Sequence, residues 1–252
     1  MSFLPLSLIT LLFLLMLFAT ENLYRFTKAP PEWTRKLQHV LSGLFASAFP
    51  WIFSSPVDVL ALGVIMTIVL WALRKLKLLH SLHGVKRKTF GEFYFLLSAV
   101  VLSFLAWDNH LLYLIPILTL TFSDTLAAII GTNYQKVTYS VRGHIKSLEG
   151  SSAFFVCTFL VVFLSQLLLS DIDPFPLVLI ALNIALFVTW VEGVCRNGRD
   201  NILIPLSTYF LLLHLVGAPQ IRLLQEFGIA SAITVALVVY LLRKKRRARS
   251  TP

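Results

Sequence analysis

The chain is short of charge. Only 13% of its 252 residues are Asp, Glu, Lys or Arg, against 57% hydrophobic, whereas a soluble domain carries about 25% charged residues. With a mean hydropathy of +0.81, this excludes an ordinary soluble fold and predicts an all-α, polytopic integral membrane protein. Cysteine is nearly absent. Cys157 falls in an apolar segment and Cys195 in a basic loop, which excludes a disulfide framework. His80, His83, His110, His144 and His214 lack the spacing of zinc ligands. Acids are fewer than bases, 12 against 22, for a net charge of +10. On a soluble protein that balance would point to nucleic acid. Here it is the signature of basic cytoplasmic loops, and no nucleic-acid partner is expected.

What is present is a series of long apolar runs. Nine segments stand out, near 3–20, 37–54, 57–73, 92–107, 111–131, 151–169, 176–194, 201–217 and 226–242. Most approach the roughly 20 residues that cross a bilayer. Residues 1–20 have no basic leading region, and bases follow them instead (Arg25, Lys28), so they are read as a retained first helix. Counting Lys and Arg in alternate loops places 21 of the 22 on one side, with only Arg222 on the other. The N-terminus is therefore expected outside and the C-terminus in the cytoplasm. The whole chain, 1–252, is read as a single membrane domain with a basic cytoplasmic tail at 243–252; its home is a membrane crossed many times, the plasma membrane in a prokaryote.

Several acids fall at one membrane level. Asp124 is seven residues before Gly131, at the cytoplasmic end of the fifth segment, so it lies about 10 Å below that surface. Glu192 is near the same end of the seventh. Glu92, Glu149 and Asp200 stand at the cytoplasmic starts of the fourth, sixth and eighth. A charge inside a spanning helix costs at least about 2.5 kcal/mol at mid-bilayer, so it faces a partner or a wet cavity. The even-numbered helices all begin at this level, each with a polar cluster: "RKLQH" (Arg35 to His39), "KRKTFGE" (Lys86 to Glu92), "KSLEGSS" (Lys146 to Ser152) and "GRDN" (Gly198 to Asn201). Free N–H groups at helix starts suit phosphate oxygens. Carboxylates beside phosphate are reconciled by a hard divalent cation, most simply Mg²⁺.

Each residue alone has a duller reading. The bases fix topology; Glu149 is a first-turn acid; His39 bonds a neighbouring helix; Asp200 and Asn201 form a cap. Asp124 fits such a reading least well. A P-loop is excluded: "GHIKS" (Gly143 to Ser147) has Ile145 before the Lys, no upstream Gly at the right spacing, and no strand expected before it.

Taken in order, "RKLQH", "KRKTFGEFYF", "SDTLAAIIGTNY", "KSLEGS" and "RDNILIPL" resemble the CTP-dependent polyprenol kinases: dolichol kinase, phytol kinase and CTP-dependent diacylglycerol kinase. The resemblance covers about residues 33–210, is nearest to the phytol kinase branch, and departs from the family at Gln135. It implies transfer of the γ-phosphate of CTP to a lipid hydroxyl, with Mg²⁺. By the same resemblance, Asp124 and Glu149 are the catalytic acids and, with Asp200, the metal ligands. Arg35, Lys36, Lys146, Ser147, Gly150 and Gly131 are the nucleotide contacts. From their shared membrane level and clusters, His39, Glu92, Glu192 and Asn201 are expected as supporting residues. The partners implied are a nucleotide triphosphate and a lipid alcohol within membrane lipid. A cytidylyltransferase acting on a phospholipid uses similar components. A transporter is the alternative from another class, although transporter sites lie nearer mid-bilayer between internal repeats.

Overall fold

The computed structural model describes residues 3–27, 30–76, 90–141 and 144–250. Lys86, Arg87 and Lys88 of the "KRKTFGE" cluster lie outside the described residues, as do the side chains of the basic tail from Arg243 on. Of the described residues 85% are helical. Its helices are α1 (Phe3–Thr27), α2 (Pro31–Ser47), α3 (Phe49–Ile52), α4 (Pro56–Lys75), α5 (Gly91–Ala106), α6 (His110–Asn133), α7 (Leu148–Leu169), α8 (Pro174–Val194), α9 (Asp200–Leu215) and α10 (Gln220–Ser250).

Every apolar run found in the sequence lies on this helical framework. Among the described residues six helices, α1, α4, α6, α7, α8 and α10, are long and apolar enough to cross a membrane. The other three runs are shorter. Helices α5 and α9 have 16 residues each and α2 has 17. At 1.5 Å per residue they reach about 25 Å, less than the roughly 30 Å hydrocarbon core. The second run, expected as one segment over 37–54, is divided into α2 and α3. Pro50 has no N–H to give to the Ala46 carbonyl, so the ladder stops there. The buried Tyr113 hydroxyl donates to that carbonyl at 3.1 Å and ties α6 to the break.

One expectation is corrected. No strand was expected before Lys146, yet Thr138–Val141 (β1) and His144–Ser147 (β2) form an antiparallel pair, with Tyr139 opposite Lys146. The short period-2 pattern of TYSV and HIKS lies in a polar loop between two long apolar runs, where helical periodicity dominates the reading.

Contacts group the chain into two units. The first comprises residues 1–125 and 195–209, the second 126–194 and 210–252. In the first, α1 packs on α2 and α4, and α4 packs on α5. Thr20 of α1 donates its hydroxyl to the Gln38 side-chain carbonyl of α2 at 2.7 Å. In the second, α8 is the central element, packed by α7 and α10. It is buried on nearly all sides (Leu177, Ile180, Ile184, Val188), as a helix apolar all round should be. Its buried Asn183 amide donates to the Leu223 carbonyl of α10 at 3.0 Å. The outer face of α10 exposes Ile221, Ile229, Ile233 and Val235, the surface that suits lipid.

Tyr113→Phe keeps the packing and removes one hydrogen bond across the Pro50 break. It should lower stability by about 1 kcal/mol, read as a reduced Tm of the detergent-solubilised protein.

Candidate active site

The first unit gathers three of the polar clusters. Helix α2 starts on Pro31, a residue that tolerates the first turn because its missing N–H has no helical acceptor there. Glu32 in that turn pairs with Arg35 at 2.6 Å. Lys36, the next residue, points the other way. Its side chain is 4% exposed, and Nζ donates to Asp124 Oδ2 at 2.5 Å and to the Asp124 carbonyl at 3.1 Å. Asp124, 16% exposed, is thus neutralised by a partner that is itself buried. His39, one turn further on, brings Nε2 to 3.6 Å from the same Oδ2.

Other elements converge on this helix. Gly198 adopts φ +84°, and a Cβ there would lie 2.6 Å from the N and Cα of Gly91. The start of α9 can therefore lie directly on the start of α5 only with glycine at this contact. Asn201 fixes the contact by donating its amide to the Gly91 carbonyl at 2.8 Å. Glu92 accepts from Arg74 at 3.3 Å. Asp200 is near enough for its charge to act on Arg35. Arg35, Gln38, His39, Ser42, Glu92 and Asn201 line one cavity, with about 720 Å³ of empty space counting its mouth. Gln38 and Ser42 did not stand out in the sequence reading. Their signal was available: Arg35, Gln38, His39 and Ser42 follow the i, i+3, i+4, i+7 spacing of one helix face.

The second unit holds the remaining predicted residues in a separate arrangement. Lys146 on β2 pairs with Glu192 Oε1 at 2.5 Å and also donates to the Glu192 carbonyl. Ser147 caps α7, its Oγ accepting from Gly150 N at 3.1 Å. The Glu149 carboxylate accepts from the Val137 N–H at 3.0 Å and so holds the base of the hairpin. Gly150 and Gly131 face each other across α6 and α7; a Cβ on Gly150 would come within 3.1 Å of Gly131 Cα and 3.0 Å of the Ala127 carbonyl. Close helix approach thus accounts for both glycines. Tyr139, absent from the sequence reading, hydrogen-bonds Ser151 at 2.8 Å beside this cluster. Burial raises its phenol pKa.

Among the described residues, no three His, Cys, Asp or Glu side chains gather as a metal cage. Mg²⁺ needs none: it takes one or two carboxylates, keeps several waters and accepts substrate phosphates. The hard oxygen donors Asp124 and Asp200 in the first unit, and separately Glu149 in the second, are of the kind that ion takes.

No family model matches the chain, and no solved structure matches it. A phytol kinase of Synechocystis sp. is 30% identical over 193 residues, which span 75% of this chain and 81% of the relative. With that extent of shared sequence, the chain belongs to the phytol kinase family.

Proposed function

We propose that the protein is an integral-membrane lipid kinase that transfers the γ-phosphate of CTP to the hydroxyl of a long-chain isoprenoid alcohol, phytol being the first candidate. The observation that carries this reading is the Lys36–Asp124 pair, buried inside an apolar helix bundle beside His39 and next to an Arg-lined cavity. The related phytol kinase supports the same class of reaction. The bias of Lys and Arg supports a cytoplasmic site, where nucleotide is available.

Phosphoryl transfer demands alignment and charge neutralisation more than covalent help from the protein. Arg35 is suited to hold phosphate oxygens, because its planar fork gives two parallel hydrogen bonds. Asp124 orients the lipid hydroxyl and takes its proton as the oxygen bonds to the γ-phosphorus and the bond to the bridging β–γ oxygen breaks, releasing CDP. Lys36 holds that carboxylate in place. Asp124 and Asp200 of the first unit are the residues that would hold Mg²⁺, which would supply neutralisation of the phosphate charge. The acceptor never has to leave the bilayer, because the acid lies below the membrane surface.

The purified protein incubated with phytol and CTP should yield a monophosphate carrying label from the γ position. Label transferred from the cytidine instead would identify a cytidylyltransferase, and vesicle flux without any phosphorylated lipid would identify a transporter. Asp124→Asn should cut kcat by a hundredfold or more, with insertion unchanged; full turnover in this variant would remove the proposed role.

A double substitution separates structure from chemistry. Lys36→Ala alone leaves a buried carboxylate unpaired and should cost about 3–5 kcal/mol. Lys36→Met with Asp124→Leu should recover most of that stability yet remain inactive, as judged by Tm and product formation together. Arg35→Ala should raise the KM for nucleotide with little change in Tm, since its Glu32 pair is partly exposed.

A further inference from the structure

Helix α2 keeps a glycine, Gly43, in its interior, where glycine weakens a helix relative to alanine. The reason lies on α6. A Cβ at Gly43 would lie 1.9 Å from Thr121 Oγ1, 2.6 Å from its Cγ2 and 2.7 Å from its Cβ. Thr121 cannot turn aside. It is fully buried, its β-branched side chain is stiff at χ1, and its hydroxyl donates to the Ile117 carbonyl at 2.7 Å. Gly43 stands between two other contacts of the same helix pair. Lys36 bonds Asp124 at one end, and Tyr113 donates to the Ala46 carbonyl at the other. From Lys36 to Ala46 the helix rises about 15 Å at 1.5 Å per residue. All of these residues are in the first unit.

We infer that Gly43 is a positioning residue: by letting α2 rest against Thr121, it sets the distance between the group that holds the phosphates and the group that orients the acceptor hydroxyl. The inference rests on the kinase reading above and adds what aligns the two reactants. Arg35 lies on α2, and Asp124 lies on α6 close to Thr121. The separation of these two helices is therefore the separation of donor and acceptor. A side chain at position 43 needs an ordinary contact of 3.4 Å or more where 1.9 Å is available. Close-packed interiors transmit such strain, so the helices would part by about 1.5 Å. With Tyr113 tying the far end, a gap opened at Gly43 widens toward Lys36 and Arg35. The flexible Lys36 stem can follow Asp124, so the ion pair survives while Arg35 and its phosphate are carried away. Phosphoryl transfer depends on alignment, and a misplacement of about 1 Å can cost about a hundredfold.

The test uses the full chain in lipid nanodiscs with CTP and phytol. Gly43→Ala should lower kcat by about a hundredfold, while the KM for CTP stays within about twofold because Arg35 moves with its ligand. Gly63→Ala is the control. A Cβ at Gly63 would lie 2.7 Å from Val100 Cγ2, a clash of the same kind between α4 and α5, which carry neither Arg35 nor Asp124. Its kcat should stay within about threefold of the wild type. Thr121→Gly removes all three clashing atoms. Gly43→Ala combined with Thr121→Gly should therefore fold, and should return kcat to within about threefold of Thr121→Gly alone. A second readout is independent of turnover. Spin labels on Leu44→Cys and Phe122→Cys, exposed positions of α2 and α6, are placed in a chain with Cys157→Ser and Cys195→Ser. Their mean distance should grow by about 1.5 Å with Gly43→Ala and return in the double variant. Unchanged kcat in Gly43→Ala, an equal loss in Gly63→Ala, no recovery in the double variant, or an unchanged spin-label distance overturns the inference and leaves the kinase reading intact. A wild type that phosphorylates no alcohol removes the kinase reading, and the spin-label distance then decides by itself whether Gly43 sets the spacing of the helices.

Discussion

The first unit depends on one buried ion pair. Asp124 lies on a helix that is otherwise apolar enough to cross a membrane, and a carboxylate there is tolerable only with a cation at contact distance. Lys36 meets that requirement from α2 by donating to both the carboxylate and the main-chain carbonyl of the same residue. The two hydrogen bonds fix the depth of α2 against α6, because sliding either helix by a residue would separate the charges. His39 and Arg35 are then placed by helix geometry, three residues after Lys36 and one before it. A constraint that begins as electrostatics thus sets which side chains face the cavity.

Glycine supplies the complementary constraint where backbones touch. The contact between Gly198 and Gly91 lets the start of α9 reach the start of α5, and Asn201 closes it with a hydrogen bond. In the second unit, Gly131 and Gly150 do the same for α6 and α7, beside the Ser147 cap. The resemblance to polyprenol kinases had implied nucleotide contact for these last two glycines. Their immediate physical role is to permit close helix approach, which also positions Lys146 and Glu149 at the helix start. Small residues that carry no chemistry therefore organise the ones that do.

The clusters "RKLQH", "KRKTFGE", "KSLEGSS" and "GRDN" could be grouped from sequence because each begins an apolar run on the same predicted side. Of these residues, Arg35, His39, Glu92 and Asn201 line one cavity. Gln38 and Ser42 were legible in principle, through helical spacing, but ordinary polar residues on an apolar helix attract little notice beside a charge. The hairpin at 138–147 was not legible. Four-residue strands carry too few positions for a period of two to stand out, and its pairing is anchored by Glu149 from outside the strands.

The sequence by itself determined the class of structure and the placement of polar groups along each helix, because hydropathy and helical periodicity are local and the bilayer sets a length scale. The choice of partners was decided by the tertiary structure alone. Lys36 meets Asp124 across 88 positions, and Lys146 meets Glu192 across 46. No local pattern encodes such pairs. They follow from how helices rotate and approach once apolar faces are packed and buried charges have to be neutralised. The cavity lined by Arg35, His39, Glu92 and Asn201 belongs to the same category, since its walls come from separate helices whose facing sides only packing brings together.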